Sequence, residues 1–88
     1  MAYHATGKAG ELRAGGRPAA VVGEWDLERS GGHWTGHVVL MDTTPVFGMT
    51  DRYELRLARG NGFWRWRNVL VDNDRSFRFE TDDDPERM

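Results

Sequence analysis

Residues 60–71 read GNGFWRWRNVLV, a turn signal followed by alternating aromatic and arginine residues and then by an aliphatic run. Aromatic rings beside arginines can stack on bases or sugars and hold phosphates. The same letters also suit one strand of a small core, with one buried face and one solvent-facing face. Each buried aromatic side chain removes about 150–250 Å² from water, and a chain of 88 residues needs that area. The stretch therefore predicts a core strand that buries Trp64 and Trp66, with stacking on a ligand as the alternative.

Strict alternation does not sort this strand into one apolar and one polar face. Two arrangements bury both tryptophans. In the first, Leu70 joins them in the core and the arginines of the stretch face solvent. In the second, a bulge near Asn68 exchanges the two faces, so that Val69 and Val71 join the tryptophans instead.

Turn signals recur at short intervals along the rest of the chain, with β-favouring runs between them. Alternation is cleanest in RYELRLA, which places Tyr53, Leu55 and Leu57 on one face. No run has apolar residues recurring three and four positions apart, so no helix is predicted. The pattern predicts an all-β fold of six short, mainly antiparallel strands in a small barrel or a two-sheet sandwich. The predicted strands span 11–14, 17–28, 33–40, 52–58, 63–71 and 75–81.

The length fits one small domain, and we expect residues 1–81 to form it with a short flexible N-terminus. Residues 82–88, DDDPERM, have no apolar periodicity, and Pro85 prevents continuation of the preceding strand. We therefore expect an extended acidic tail whose removal leaves the stability nearly unchanged. Charge is divided along the chain: residues 52–79 carry a local charge of +4 and residues 80–88 a local charge of −4.

The composition argues against most enzyme classes. The chain has no cysteine, which excludes a thiol nucleophile, a disulfide framework and cysteine-ligated zinc. His33 and His37 would lie about 13 Å apart along a strand, too far to share one metal ion. Ser30 and Ser76 lie in no nucleophile motif. We expect no catalytic, cofactor-binding or metal-binding residues, and the absence of a long apolar window predicts no membrane partner.

One segment resembles a known family. Residues 6–28 combine a GKxG start, a short strand, a glycine turn and a valine-rich strand that ends in a tryptophan and a leucine. These features are typical of the opening hairpin near the N-terminus of bacteriophage tail-tube proteins. The resemblance implies a β-sandwich subunit that assembles into rings, without catalytic residues, in a virion assembled in the host cytoplasm. The matching positions are Gly7, Lys8, Gly10, Gly15, Gly16, Val21, Val22, Trp25 and Leu27.

Residues 41–51, MDTTPVFGMTD, are too long for a tight hairpin turn and carry apolar side chains that need a place to be buried. The segment either folds over the end of its own barrel or docks on a neighbouring subunit. Arginine is favoured at interfaces because its planar cation is weakly hydrated. The interface candidates are Val46, Phe47, Met49, Arg65, Arg67 and Arg78.

These observations favour a non-enzymatic structural subunit of a phage particle, in the tail or associated with the capsid. Its expected partners are other virion proteins and copies of itself, in a homo-oligomer or a lattice. The alternative function is a small β-barrel that binds single-stranded nucleic acid or glycan.

Phe47→Asp tests the interface role of the 41–51 segment. If Phe47 anchors a neighbouring subunit, the substitution abolishes association and leaves the melting temperature unchanged, because a carboxylate would be desolvated in an apolar pocket. Melting and oligomer mass are measured on the same sample. A lower melting temperature of the isolated chain would show that Phe47 packs on its own barrel instead.

Overall fold

A computed structural model of the chain describes residues 2–43, 52–73 and 75–88. All regular secondary structure in these ranges is β-strand, so the predicted all-β class is confirmed. The prediction of six strands is wrong, because two further strands form at the ends of the chain. The eight strands are β1 (Ala2–Gly7), β2 (Gly10–Ala14), β3 (Arg17–Ser30), β4 (His33–Thr43), β5 (Arg52–Arg59), β6 (Gly62–Leu70), β7 (Ser76–Thr81) and β8 (Glu86–Arg87).

The strands form one antiparallel sheet with the hydrogen-bonded order β7-β4-β3-β2-β5-β6-β8. β3 is the longest strand, with 14 residues. One of its edges pairs with β2 and, further along, with β1, while its other edge pairs with β4. The sheet curls into a half-barrel. In the described ranges β6 and β7 are not paired with each other, so the barrel has an open side between them.

The β2–β3 hairpin turns through Gly15 and Gly16, as the glycine pair predicts. Their φ angles are +57° and +80°, a backbone region that side chains other than glycine rarely adopt. The turn therefore needs glycine at both positions.

β6 contains the bulge that the second arrangement requires. Tyr53 of β5 pairs with Val69, but Leu55 pairs with Trp66, so two β6 residues lie opposite the one residue between Tyr53 and Leu55. The bulge exchanges the faces of β6 after the tryptophans. Val69 is 4% exposed, whereas Leu70 is 48% exposed. The arrangement that places Leu70 in the core is therefore wrong, and the bulged arrangement is confirmed.

The N-terminal residues differ from the flexible segment expected from the sequence, because they form β1 in register with the end of β3. Ala2 pairs with Ser30 and Gly7 with Trp25. Ala5 is the one buried side chain that the strand contributes to the core. With a single buried position, β1 has no alternating apolar pattern that a sequence could reveal.

Aromatic residues fill the interior next to the open side. Trp66 lies with its ring centroid 5.6 Å from that of Trp34 and 5.2 Å from that of Phe79. Phe79 fits there because its cross-strand partner is Gly36, where an added Cβ would lie 2.2 Å from the Phe79 ring. All three aromatic side chains are buried. The prediction that Trp66 belongs to the core is confirmed, while Trp64 is half-buried against the same cluster.

Trp66→Ala should lower the free energy of unfolding by about 3–5 kcal/mol, because it leaves a large cavity in the aromatic cluster. The matched control is Phe63→Ala in the same strand, where the side chain is 40% exposed and its loss should change the stability little. Urea unfolding of both variants measures the difference. Equal effects of the two substitutions would contradict the packing described here.

Candidate functional site

The open side of the half-barrel is a groove of about 870 Å³ between β6 and β7. β8 pairs with β6 only at Trp64 and Arg65. No described strand pairs with the outer edge of β6 beyond these residues or with the outer edge of β7. We call this groove, between residues 66–70 of β6 and residues 76–80 of β7, the open seam.

The floor of the open seam is apolar and filled. Trp66 and Phe79 touch across it and are 4% and 6% exposed, respectively. Val69 lies beside them and is also buried. Because side chains already occupy the interior, the open seam offers its two backbone edges to a ligand rather than a deep cavity.

The ladder between β4 and β7 identifies the backbone groups that face the open seam. The Leu40 amide donates to the Arg75 carbonyl at 2.7 Å, and the pairing continues without a register shift to Trp34 and Thr81. Hydrogen-bonded and non-hydrogen-bonded pairs alternate along an antiparallel ladder. The amides and carbonyls of Ser76, Arg78 and Glu80 therefore point away from β4, toward the open seam.

Two of the three arginine candidates meet one carboxylate of their own chain. Arg67 donates to both carboxylate oxygens of Glu86, from Nε at 2.6 Å and from Nη2 at 3.0 Å. Arg65 Nη2 donates to Glu86 Oε2 at 2.8 Å. Arg78, the third candidate, is exposed on the wall of the open seam. In the described ranges it forms no ion pair, so the structure separates Arg78 from the other two arginines.

The two arginines strongly acidify Glu86. The hydrogen bonds from Arg67 and then from Arg65 lower the pKa of Glu86 from 4.5 to about 2. A lowered pKa in the folded state means that the contact stabilises the fold above the ordinary pKa and is lost as the pH falls toward 2. Since Glu86 and Arg67 are largely open to solvent, salt weakens the contribution.

Residues 82–88 bind the half-barrel, whereas the sequence predicted an extended acidic tail whose removal would leave the stability nearly unchanged. The Trp34 indole Nε1 donates to Asp84 Oδ1 at 2.9 Å, and the Trp66 indole Nε1 donates to the Asp83 carbonyl at 3.0 Å. β8 then pairs with β6. The segment crosses from β7 to β6 and covers one end of the open seam. It supplies acceptors that two core indoles need.

His33 adds a further contact to this segment. Its Nδ1 lies 2.6 Å from Asp82 Oδ1, and its Nε2 lies 3.7 Å from Glu80 Oε2. The hydrogen bond to Asp82 raises the pKa of His33, against a smaller opposing effect of desolvation. This contribution is present below the ordinary pKa of 6.5 and is lost as the pH rises through the raised value.

The remaining sequence predictions concern the 41–51 segment, metal binding and a membrane span. Val46, Phe47 and Met49 lie outside the described residues, so their interface role stays a prediction. No group of three or more histidine, aspartate or glutamate side chains with metal-binding geometry occurs in residues 2–43, 52–73 and 75–88. The same ranges contain no helix long and apolar enough to cross a membrane.

Sequence reasoning missed the acceptors of the tail. Asp83 and Asp84 matter because of where their oxygens lie, and three consecutive aspartates give no sign of which one meets an indole. The opposite local charges of residues 52–79 and 80–88 were the available signal, since they favour contact between the two segments.

Comparisons of the chain with protein-family models, with curated proteins and with solved structures found no match.

Deletion of residues 82–88 should lower the free energy of unfolding by about 2–4 kcal/mol. It removes both indole hydrogen bonds and the β8 pairing, at about 1 kcal/mol for each net hydrogen bond. Thermal unfolding with tryptophan fluorescence measures the loss. Glu86→Gln serves as the control, because it keeps the indole hydrogen bonds and the β8 pairing and removes only the ion pairs of a side chain that is 46% exposed, so it should have a smaller effect. An unchanged melting temperature after the deletion would restore the interpretation as a dispensable tail.

Proposed function

We propose that this chain is a non-enzymatic structural subunit that assembles with other protein chains, including copies of itself, through the open seam. The observation that carries this proposal is the pair of strand edges, over a filled apolar floor, that no strand of the described residues pairs with. An unpaired edge is a row of amides and carbonyls that can pair with a strand of another chain. The surroundings of the open seam favour such a strand over a small molecule, because the interior is already occupied.

The two edges of the open seam are different surfaces, one from β6 and one from β7. Contacts between unlike surfaces are heterologous, and they generate rings when the rotation closes or open filaments when it does not. A subunit that adds strands at such a seam therefore suits repeated assembly. A twofold dimer would instead require one surface to pair with itself.

A phage particle is the setting that we propose for this assembly. The support is the resemblance of residues 6–28 to the opening hairpin of tail-tube proteins, which form rings. In the structure this segment is the β2–β3 hairpin, turning at Gly15 and Gly16. The proposed partners are other virion proteins and further copies of the chain, and the proposed location is a virion assembled in the host cytoplasm.

The stacking alternative has little support at the open seam. Trp66 is buried there, and Arg65 and Arg67 already bind Glu86. A base needs an open ring face, and of the three candidate arginines only Arg78 is left available to a phosphate here. The contacts of these residues favour assembly of protein chains over binding of nucleic acid at this place.

Arg78→Pro tests the proposed edge. Proline removes an amide that points into the open seam, whereas the ladder between β4 and β7 keeps its hydrogen bonds. We expect wild-type chains to associate and the variant to remain monomeric with a similar melting temperature, as measured by light scattering after size exclusion and by thermal unfolding.

Arg78→Ala is the matched control, because it removes the side chain but keeps the backbone amide. It should associate like the wild type. Association that survives Arg78→Pro would contradict strand addition at β7. Loss of association in both variants would assign the role to the arginine side chain rather than to the backbone edge.

A further inference from the structure

A second concave surface lies at the end of the half-barrel formed by the β5–β6 turn, the start of β1 and the end of the chain. Its volume is about 370 Å³. We call it the aromatic end. It is formed by Tyr3, Arg59, Gly62, Phe63, Trp64, Arg87 and Met88.

The Tyr3 and Trp64 rings meet at the aromatic end and keep part of their surface in solvent, whereas Phe63, adjacent to Trp64 in β6, belongs to the opposite face of the strand. Tyr3 is 38% exposed and Phe63 is 40% exposed, and Trp64 is half-buried. The centroids of the Tyr3 and Trp64 rings are 6.2 Å apart. Trp64 also contacts Trp34 of the core, with ring centroids 5.6 Å apart. The rings are therefore anchored from behind, with open surface in front.

Two arginines flank these rings, and no aspartate or glutamate side chain of residues 2–43, 52–73 and 75–88 lines the concavity. Arg59 lies with its guanidinium carbon 5.5 Å from the centroid of the Trp64 ring, and its Nη2 donates to the Tyr3 hydroxyl at 2.8 Å. Arg87 is the cross-strand partner of Trp64. Arg65 and Arg67, by comparison, are both bound to a carboxylate. In the described part of the chain Arg59 contacts an indole and a phenol, neither of which carries a negative charge.

The backbone holds this constellation in place. Phe63 and Met88 exchange two hydrogen bonds, of 2.9 and 3.3 Å. Gly62 permits this approach, since an added Cβ would lie 2.4 Å from the Met88 carbonyl oxygen. Arg87 is thereby fixed beside the rings by the strand pairing of β8.

We infer that the aromatic end binds a nucleotide of a single-stranded nucleic acid, with the base stacked on the exposed part of Tyr3 beside Trp64 and a phosphate held by Arg59 and Arg87. Open ring faces next to arginines are the combination that binds single strands. A neutral glycan fits less well, because sugar hydroxyls also need acceptors and arginine side chains only donate. This inference goes beyond the proposed function, and it concerns a different surface from the open seam.

Fluorescence anisotropy of a short labelled oligodeoxythymidylate tests the inference on the whole chain. We expect saturable binding that weakens steeply between about 50 and 200 mM salt, because phosphate contacts release counterions. Tyr3→Ala should weaken binding about 5- to 100-fold through the loss of stacking. Arg87→Gln should weaken binding and make it less dependent on salt.

Arg78→Gln is the matched control, since it removes one exposed arginine outside the aromatic end and should leave binding nearly unchanged. Circular dichroism melting of each variant checks that the fold is intact, and Arg87→Gln alone carries the test if Tyr3→Ala fails to fold. Absence of binding, or equal losses in Arg87→Gln and Arg78→Gln, would overturn the inference. Stronger binding of neutral oligosaccharide than of oligodeoxythymidylate would overturn it in favour of a glycan. The oligomer mass of Arg87→Gln should match that of the wild type, so that this result stands apart from assembly at the open seam.

Discussion

Trp66 and Phe79 meet 5.2 Å apart across a gap that no strand pairing in the described ranges bridges. A half-barrel would normally leave its interior open along such a gap. Here the two rings close it with side chains, and the cluster continues through Trp34. The indole donors of this cluster in turn require acceptors, which Asp83 and Asp84 provide. The rings that fill the gap between β6 and β7 therefore also bind the acidic segment to the fold.

Much of this fold follows from alternation in the sequence. β5 buries Tyr53, Leu55 and Leu57 as its pattern predicts. β6 is more difficult, because the sequence permits two facings and only the pairing of Val69 with Tyr53 selects one of them. A bulge changes the register at a single point, and propensity does not distinguish the arrangement that has it from the one that lacks it. The choice depends on contacts with another strand.

The two strands that the sequence did not predict have little apolar signal of their own. β1 contributes one buried side chain, and β8 has two residues, both exposed. They are held by pairing and by polar contacts, which a hydrophobic pattern does not report. The candidate site was likewise only partly predictable from the sequence. The sequence shows arginines in residues 52–79 and acids in residues 80–88, but it does not say that Glu86 would bind both Arg65 and Arg67 and leave Arg78 without an acid in the described ranges.

The length of β3 also determines the order in which the other strands can form during folding. Glycine turns join β3 directly to β2 on one side and to β4 on the other, and hairpins of this kind form within about 1–10 μs. β1 reaches the same strand only by closing a loop around β2, and its residue Ala2 must find Ser30. Loop closure costs entropy before any pairing compensates for it. β3 is thus the template on which the local hairpins form first. The terminal strands are added afterwards, and their amides are the first to exchange with solvent when the native protein opens.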